Sequence, residues 1–290
     1  MIIFHSPGTD DQESEERVDR YGEHFSASPA AFAFGANQTF ATIQESENEW
    51  NIQPVNPPDN FMGPTLWPSD LDIFAAVGQA FPPGDQEGSH LDMLHVSPLS
   101  MGIAHEADNI YWVFDGKAGN IVRYDFKDDH GPGGWDHRDG VIRRFSDVEV
   151  KRVPDVPSHM VMDKSASPRL LYIADTGNSR IMVLDTSSGT NTGPLPGNKD
   201  GCSEYSGVSG AEYQVLVDSG LDQPSGIELH DGRLFVSDHA TNEIIAYDLA
   251  GEELARLETE AEGIMGLAVG PEGHLWYVDG AADQVVRIDP

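Results

Sequence analysis

The segment Leu170-Leu-Tyr-Ile-Ala-Asp-Thr-Gly-Asn-Ser-Arg-Ile181 decides the fold of this 290-residue chain. An aromatic and β-branched run ends at Asp175, a short polar stretch follows, and a second apolar run begins at Ile181. Alternate residues of a β-strand face opposite sides of a sheet, and a tight turn joins neighbouring antiparallel strands. The segment therefore predicts a β-hairpin.

The hairpin pattern recurs, and the recurrence predicts the architecture. Four copies carry an apolar run that ends in Asp, at 110–115, 170–175, 233–238 and 274–279. A β-branched residue stands six positions after each Asp, and a second Asp stands ten positions after it. A short apolar stretch precedes each copy, at 101–104, 159–162, 226–229 and 266–269, and we interpret it as the innermost strand of a blade. Such units cannot bury their own faces, so the pattern predicts an all-β propeller of radially stacked, four-stranded blades.

A fifth, weaker copy opens the chain, with strands expected at 31–34, 39–43 and 70–74. We therefore predict five blades in a single domain over residues 1–290, while the long stretches 44–100 and 126–157 leave a sixth blade open. The last copy stops at Asp289-Pro290, just after its third strand. We expect its fourth strand from residues 17–21, inside a partly irregular segment 1–28, because joining the chain ends in one blade removes open sheet edges.

The charge balance narrows the set of partners. Lys and Arg number 17 against 49 Asp and Glu, which gives a formal net charge of -32. Such a surface repels nucleic acid and anionic membranes, and no apolar run is long enough to cross a bilayer. We attribute the acidity first to solubility in salty surroundings. The partner is then a small molecule or a protein, and we expect a monomer.

The cysteine content and the start of the chain bear on the compartment. A single cysteine, Cys202, excludes an internal disulfide. The start, Met1-Ile-Ile-Phe-His5, is too short for the apolar core of a secretory signal and lacks a basic leader. We expect a secreted or periplasmic protein in a mature or truncated form, and a cytoplasmic location stays open.

The segment Leu171-Tyr-Ile-Ala-Asp-Thr-Gly-Asn-Ser-Arg-Ile181 resembles the signature of the NHL-repeat family, in which an apolar strand is followed by Asp, Asn and Arg-Ile. Looser matches lie at 235–242 and 276–279, and the resemblance extends over 100–290 and faintly over 30–75. It implies a β-propeller, usually of six blades. It implies no particular activity, because one fold carries many.

The chain is also distantly similar to peptidylglycine amidating lyase-type propellers, which place metal-binding histidines at the start of innermost strands. The corresponding positions here hold Met101, Ser158, Ser225 and Met265, and only His159 lies beside one of them. The three-histidine pattern of that family is therefore not reproduced. Calcium-dependent lactonase-type propellers need carboxylate and Asn ligands in the channel, and the sequence contains no clear motif for them.

Three histidines are predicted to converge at one mouth of the central channel. His159 begins an innermost strand, His239 lies in a hairpin loop on the same face, and His95 precedes the innermost strand of an earlier blade. Imidazole suits Zn²⁺ and Cu²⁺, and Met101 and Met265 add soft ligands for copper. The alternative is that His159 is a hydrogen-bonded channel residue and the other two face solvent.

The loop 125–140 is unusually rich in potential ligands, with five Asp, two His and four Gly. Gly-bent loops that offer several oxygen ligands can wrap Ca²⁺. Asp129, Asp136 and Asp139 are the candidate ligands, although their spacing is not that of an EF-hand. A solvated or locally hydrogen-bonded loop is the alternative.

The Asp that ends each apolar run has a different expected role. Because every copy carries it, we expect it to accept backbone N–H bonds within its own turn rather than to bind a cation. The four residues are Asp115, Asp175, Asp238 and Asp279.

The leading functional hypothesis is a propeller that binds a ligand or protein partner at its channel mouth, without chemistry of its own. The alternative is a metal-dependent lyase or hydrolase in which His159, His95 and His239 hold Zn²⁺ or Cu²⁺. A third hypothesis is a calcium-stabilised scaffold built on the loop 125–140. The sequence contains no nucleophile elbow, P-loop, dinucleotide fingerprint or zinc-protease helix.

Overall fold

The computed structural model describes residues 1–47, 49–50, 53–54, 61–81, 86–134 and 136–289. The chain begins with a hairpin of two strands, β1 (Ile2–His5) and β2 (Glu13–Glu16), followed by the short helix α1 (Gly22–Phe25). The rest of the described chain is built from β-sheets, with one 3₁₀ turn at Thr176–Asn178. The all-β prediction is confirmed.

Five sheets form the blades of a propeller, as predicted. In blade 1, β3 (Pro29–Phe34) and β4 (Thr39–Gln44) are followed by a separate small hairpin, β5 (Glu49–Trp50) and β6 (Gln53–Pro54), and then by β7 (Thr65–Pro68) and β8 (Asp92–Met93). Blade 2 consists of β9 (Ser100–Ala107), β10 (Ile110–Asp115), β11 (Asn120–Asp125) and β12 (Val141–Glu149).

The remaining blades follow the same meander. Blade 3 consists of β13 (Met160–Asp163), β14 (Leu170–Asp175), β15 (Arg180–Asp185) and β18 (Tyr213–Val217). Between β15 and β18 the chain forms a hairpin of β16 (Thr190–Pro194) and β17 (Glu204–Ser209). This hairpin belongs to blade 2, because β17 pairs in parallel with β12 and widens that blade to six strands. Blade 4 consists of β19 (Pro224–His230), β20 (Arg233–Asp238), β21 (Glu243–Asp248) and β22 (Glu253–Glu258). Blade 5 consists of β23 (Ile264–Val269), β24 (Leu275–Asp279) and β25 (Gln284–Ile288).

Two strand predictions at the start of the chain are wrong. The third strand of blade 1 is β7, which pairs with β4, whereas 70–74 forms a turn. That turn arises because Asp70 accepts the backbone N–H of Asp72 at 2.9 Å and that of Phe74 at 2.8 Å. The predicted closing strand at 17–21 is irregular backbone and pairs with no strand of blade 5. The N-terminal hairpin still reaches blade 5, since Arg287 Nη1 donates to the Gly8 carbonyl at 2.9 Å.

The core lies between the faces of successive blades. Trp112 and Phe114 of blade 2, for example, are buried against Leu171 and Ile173 of blade 3. Equivalent clusters join blade 1 to blade 2, blade 3 to blade 4 and blade 4 to blade 5. Among the described residues no buried apolar cluster joins blade 5 to blade 1. A cleft therefore separates the first and last blades.

Candidate functional site

The cleft between blades 5 and 1 continues into the central channel. Its volume is about 640 Å³, within the range of small-molecule sites. The inner strands of all five blades line it, together with the face of blade 5 that β24 and β25 present. It is thus the part of the channel that opens to one side of the ring.

The walls of the cleft are apolar because the strands alternate. On β3, Ala31 and Ala33 pack in the cluster shared with blade 2. Phe32 and Phe34 alternate with them along the strand and therefore face the cleft, where they are 54% and 69% exposed. On β24, the same alternation turns Trp276 and Val278 into the cleft. Two unpartnered apolar faces therefore lie opposite each other.

One histidine fills the channel beside these walls. Gly226 and Gly266 stand at the start of inner strands, and His159 occupies the equivalent place in blade 3. A Cβ atom at position 266 would lie 2.8 Å from the His159 Cε1 atom, so the imidazole reaches across to blade 5. Burial lowers the pKa of His159 to about 4, and the Ala30 backbone only partly opposes this shift. The imidazole is therefore neutral at pH 7.

Three further polar side chains, besides His159, stand along the lining. Lys164 Nζ donates to His105 Nδ1 at 2.6 Å, and His105 Nε2 donates to the Asp108 carbonyl at 3.0 Å. Burial lowers the pKa of His105, and Lys164 adds to that shift, so this imidazole also stays neutral. Burial raises the pKa of the third group, Glu228. The lining thus offers an ammonium group with N–H bonds to spare.

The three histidines predicted to share a metal have separate partners. His159 lies in the channel, His239 Nδ1 is 2.9 Å from the Ile264 carbonyl, and His95 Nδ1 pairs with Asp200. His95 also stacks on Phe61, with ring centroids 3.7 Å apart, on the connection between blades 1 and 2. The ligand atoms of His159, His95 and His239 do not form a group within 4.8 Å of one another.

The three carboxylates proposed for calcium are also held apart. Asp129 accepts the Gly131 N–H, and Asp136 forms an exposed ion pair with Arg138. Only Asp139 faces a group of other potential ligands. Asp129 and Asp136 therefore have local partners, as expected for a hydrogen-bonded loop and not for a calcium site.

Asp139 belongs to a cluster that could not be predicted from the sequence. Ligand atoms of Asp92, His130 and Asp139 all lie within 4.8 Å of one another. Asp92 is fully buried on β8, and His137 Nδ1 lies 2.5 Å from its Oδ1 atom. Burial raises the pKa of Asp92 to about 6 against the opposing effect of His137. The two histidines of the loop 125–140 were the available signal, but nothing in the periodicity of the sequence placed Asp92 beside them.

The prediction for the repeated Asp residues is confirmed for three of the four, which accept backbone N–H groups of their own turns. Asp175 differs, because in its own turn it accepts the side-chain N–H of Asn178, and its backbone donor, Lys151, lies outside the turn. All four are buried, and each accepts hydrogen bonds that fix its hairpin or the segment leading into a neighbouring inner strand. Asp115 accepts the N–H groups of Lys117 and Ala118, for instance, and its second oxygen pairs with Arg144 at 2.8 Å. Asp279 accepts four backbone N–H groups from two loops. These carboxylates therefore hold the blades together and are occupied.

Comparison with known proteins gives the fold and no family. No protein-family model matches the chain, and no curated protein matches its sequence. Virginiamycin B lyase from Staphylococcus aureus aligns at 12% identity and a TM-score of 0.50, over 90% of this chain and 70% of that one. A streptogramin B lyase aligns at 11% identity and a TM-score of 0.51, over 94% of this chain and 83% of that one. An auxiliary nutrient binding protein from Bacteroides thetaiotaomicron aligns at 9% identity and a TM-score of 0.53, over 87% of this chain and 56% of that one.

At these identities the likeness establishes the propeller fold alone. The resemblance to NHL repeats remains a prediction. Within the described part of the chain, no helix has the length and apolar character to span a membrane.

Proposed function

We propose that the protein binds a small, mainly apolar molecule in the cleft between blades 1 and 5. The observation that carries the proposal is the pair of facing apolar walls, Phe32 and Phe34 on one side and Trp276 and Val278 on the other. Flat aromatic or aliphatic groups fit such walls, because apolar surface that is partly exposed in the free protein leaves water on binding.

The polar groups of the lining indicate which chemical group the other end of the ligand carries. Lys164 has N–H bonds beyond the one that it gives to His105, and an anionic or carbonyl oxygen of the ligand would accept them. The chain carries a net charge of -32, so a ligand anion must be met by such a local cation. We therefore infer a ligand with an apolar body and one acidic or carbonyl group.

The propeller fold is compatible with either binding or chemistry. The structures that align with it include two lyases and a nutrient-binding protein. The two histidines of the cleft are weak acid–base candidates, because burial lowers the pKa of His159 and of His105 and makes both poor proton acceptors, and His105 is already committed to Lys164 and Asp108. Binding is therefore the function that the lining supports best.

A fluorescent aromatic anion, anilinonaphthalene sulfonate, tests the cleft. Ala268 is exposed on β23 and pairs with Trp276, so Ala268→Trp should block the cleft without disturbing the core. We expect this variant, and Phe34→Ala, to weaken binding of the probe by about tenfold, which corresponds to about 1.4 kcal/mol. Leu254→Ala is the matched control, because Leu254 is 51% exposed on the outer strand of blade 4.

A second pair of probes tests the cation. Lys164→Gln should weaken binding of the sulfonate probe and leave binding of the neutral analogue N-phenylnaphthylamine unchanged. If Leu254→Ala lowers the affinity as much as Ala268→Trp does, the probe binds to general surface and the proposal fails. Circular dichroism of each variant verifies that the propeller is intact.

A further inference from the structure

A second, separate feature of the molecule is the polar cluster between the edges of blades 1 and 2. The loop 125–140 contacts the segment that precedes β8. Gly133 donates its N–H to the His90 carbonyl at 2.7 Å, and His130 donates its N–H to the Leu91 carbonyl at 3.3 Å. This contact brings His130 and Asp139 of the loop to Asp92 of blade 1. The cluster is independent of the cleft.

Asp92 is the residue that points to a ligand. It is fully buried, its Oδ1 atom is held by His137 Nδ1 and by the Met93 N–H at 2.7 Å, and its Oδ2 atom has no partner among the described residues. A buried carboxylate oxygen left without a hydrogen bond is destabilising unless a cation or donor reaches it. Carboxylates that bind metals are commonly held in this way by an outer hydrogen bond on the other oxygen.

The two carboxylates of the cluster favour the binding of a doubly charged cation. Asp92 and Asp139 bring two carboxylates together, and His130 Nε2 lies 3.1 Å from Asp139 Oδ1. Among the described residues no Lys or Arg forms an ion pair with either carboxylate. Two carboxylates and one imidazole form a mixed oxygen and nitrogen donor set. Such a set suits Zn²⁺ and its neighbours among the first-row transition metals, whereas Ca²⁺ takes six to eight oxygen ligands.

We propose that Asp92, His130 and Asp139 bind one divalent transition-metal ion of the Zn²⁺ class. The ligand atoms lie within 4.8 Å of one another, so small side-chain rotations bring them to the distance of about 2.0–2.2 Å that such an ion requires. Because the ligands come from β8 of blade 1 and from the loop of blade 2, the ion ties the two blades together. His137 is a positioning residue that orients Asp92.

Calorimetric titration of chelator-treated protein with Zn²⁺ tests the site. We expect one equivalent to bind, the melting temperature to rise, and Co²⁺ to give the visible absorption bands of a protein-bound ion. His130→Asn and Asp139→Asn should each abolish high-affinity binding. His230→Asn is the control, because His230 lies on blade 4 with a partly exposed ring.

Two variants separate positioning from general damage. His137→Ala should weaken Zn²⁺ binding by about 10- to 100-fold, the usual effect of losing an outer hydrogen bond to a metal ligand. His137→Asn should restore most of the affinity, since its amide N–H can donate to Asp92 as the imidazole does. The proposal is overturned if the wild-type protein takes up no stoichiometric Zn²⁺, if Ca²⁺ binds as tightly, or if His130→Asn and Asp139→Asn bind Zn²⁺ unchanged while folded.

Discussion

His159 shows how one side chain changes the character of the channel. Blades 4 and 5 place Gly226 and Gly266 at the corresponding inner position, so only backbone faces the axis there. In blade 3 an imidazole stands at this position, anchored by its own backbone, whose N–H donates to the Ser225 carbonyl at 2.8 Å. The place of His159 along the channel lining follows from the sequence, because the repeat fixes the start of each inner strand.

This buried imidazole predicts a specific dependence of stability on pH. The pKa of His159 is about 4 in the folded protein and close to 6.5 when exposed, so the unfolded chain binds the extra proton first. Stability is therefore full above pH 6.5 and falls as the pH drops toward 4, by about 3 kcal/mol at most for this group. His90, whose pKa burial also lowers to about 4, adds a second contribution.

We expect His159→Gln to reduce the loss in melting temperature between pH 6.5 and 4.5, because the contribution of this imidazole is removed. His230→Gln, which changes a more exposed histidine of blade 4, should leave the full loss in place. Urea denaturation at each pH gives the free energy of unfolding directly. An unchanged pH dependence in His159→Gln would contradict the assignment.

At the scale of the strands, the inner glycines determine how closely the blades approach. A Cβ atom at position 226 would lie 2.7 Å from the Met265 carbonyl oxygen and 2.8 Å from the Leu267 nitrogen of blade 5. Both neighbours are backbone atoms and cannot move aside without shifting β23. Gly226→Ala should therefore destabilise the protein by about 1–3 kcal/mol, the usual range for overpacking.

The control for this substitution is Gly22→Ala, in the helix α1, where the nearest atom to the added Cβ is Asp19 Cβ at 3.9 Å. We expect that variant to be as stable as the wild-type protein or slightly more stable, because alanine favours helix more than glycine does. Equal unfolding free energies for Gly226→Ala and the wild type would show that blades 4 and 5 are less tightly packed than the distances indicate.

Strands with the repeat pattern were predictable, and strands outside it were not. The run that ends at Asp175 forms β14 because its side chains alternate between two buried clusters, and Asp175 fixes the turn by accepting the side-chain N–H of Asn178. In blade 1, where the repeat pattern is weak, the third strand was expected at 70–74 but is Thr65–Pro68, and Asp70 caps a turn of its own.

The metal-ligand cluster lay beyond prediction for a related reason. Asp92 and His130 are 38 residues apart in sequence, and the contact depends on how an insertion of blade 1 meets a loop of blade 2. Neither segment carries a periodic pattern, so the sequence named His130, His137 and Asp139 as members of one loop but gave no reason to place Asp92 beside them.

At the scale of the whole molecule, charge and ring closure act against each other. Four blade interfaces are sealed by buried apolar clusters, and the fifth is an open cleft bridged by the contact between Arg287 and Gly8. A net charge of -32 repels itself and favours expansion of the folded chain. The ring is therefore expected to hold together better when its charges are screened.

This predicts that the melting temperature rises with NaCl between 0.01 and 1 M, as the screening length falls from about 30 Å to about 3 Å. Each kcal/mol of repulsion removed should raise it by about 2–4 °C. Replacing the exposed Glu252, Glu258 and Glu260 by Gln changes the net charge from -32 to -29, because three negative charges are lost, and should flatten the salt dependence. Replacing the same three residues by Lys should flatten it further. A melting temperature that is constant or falls with added salt would mean that attraction between the 17 basic and 49 acidic side chains outweighs the repulsion.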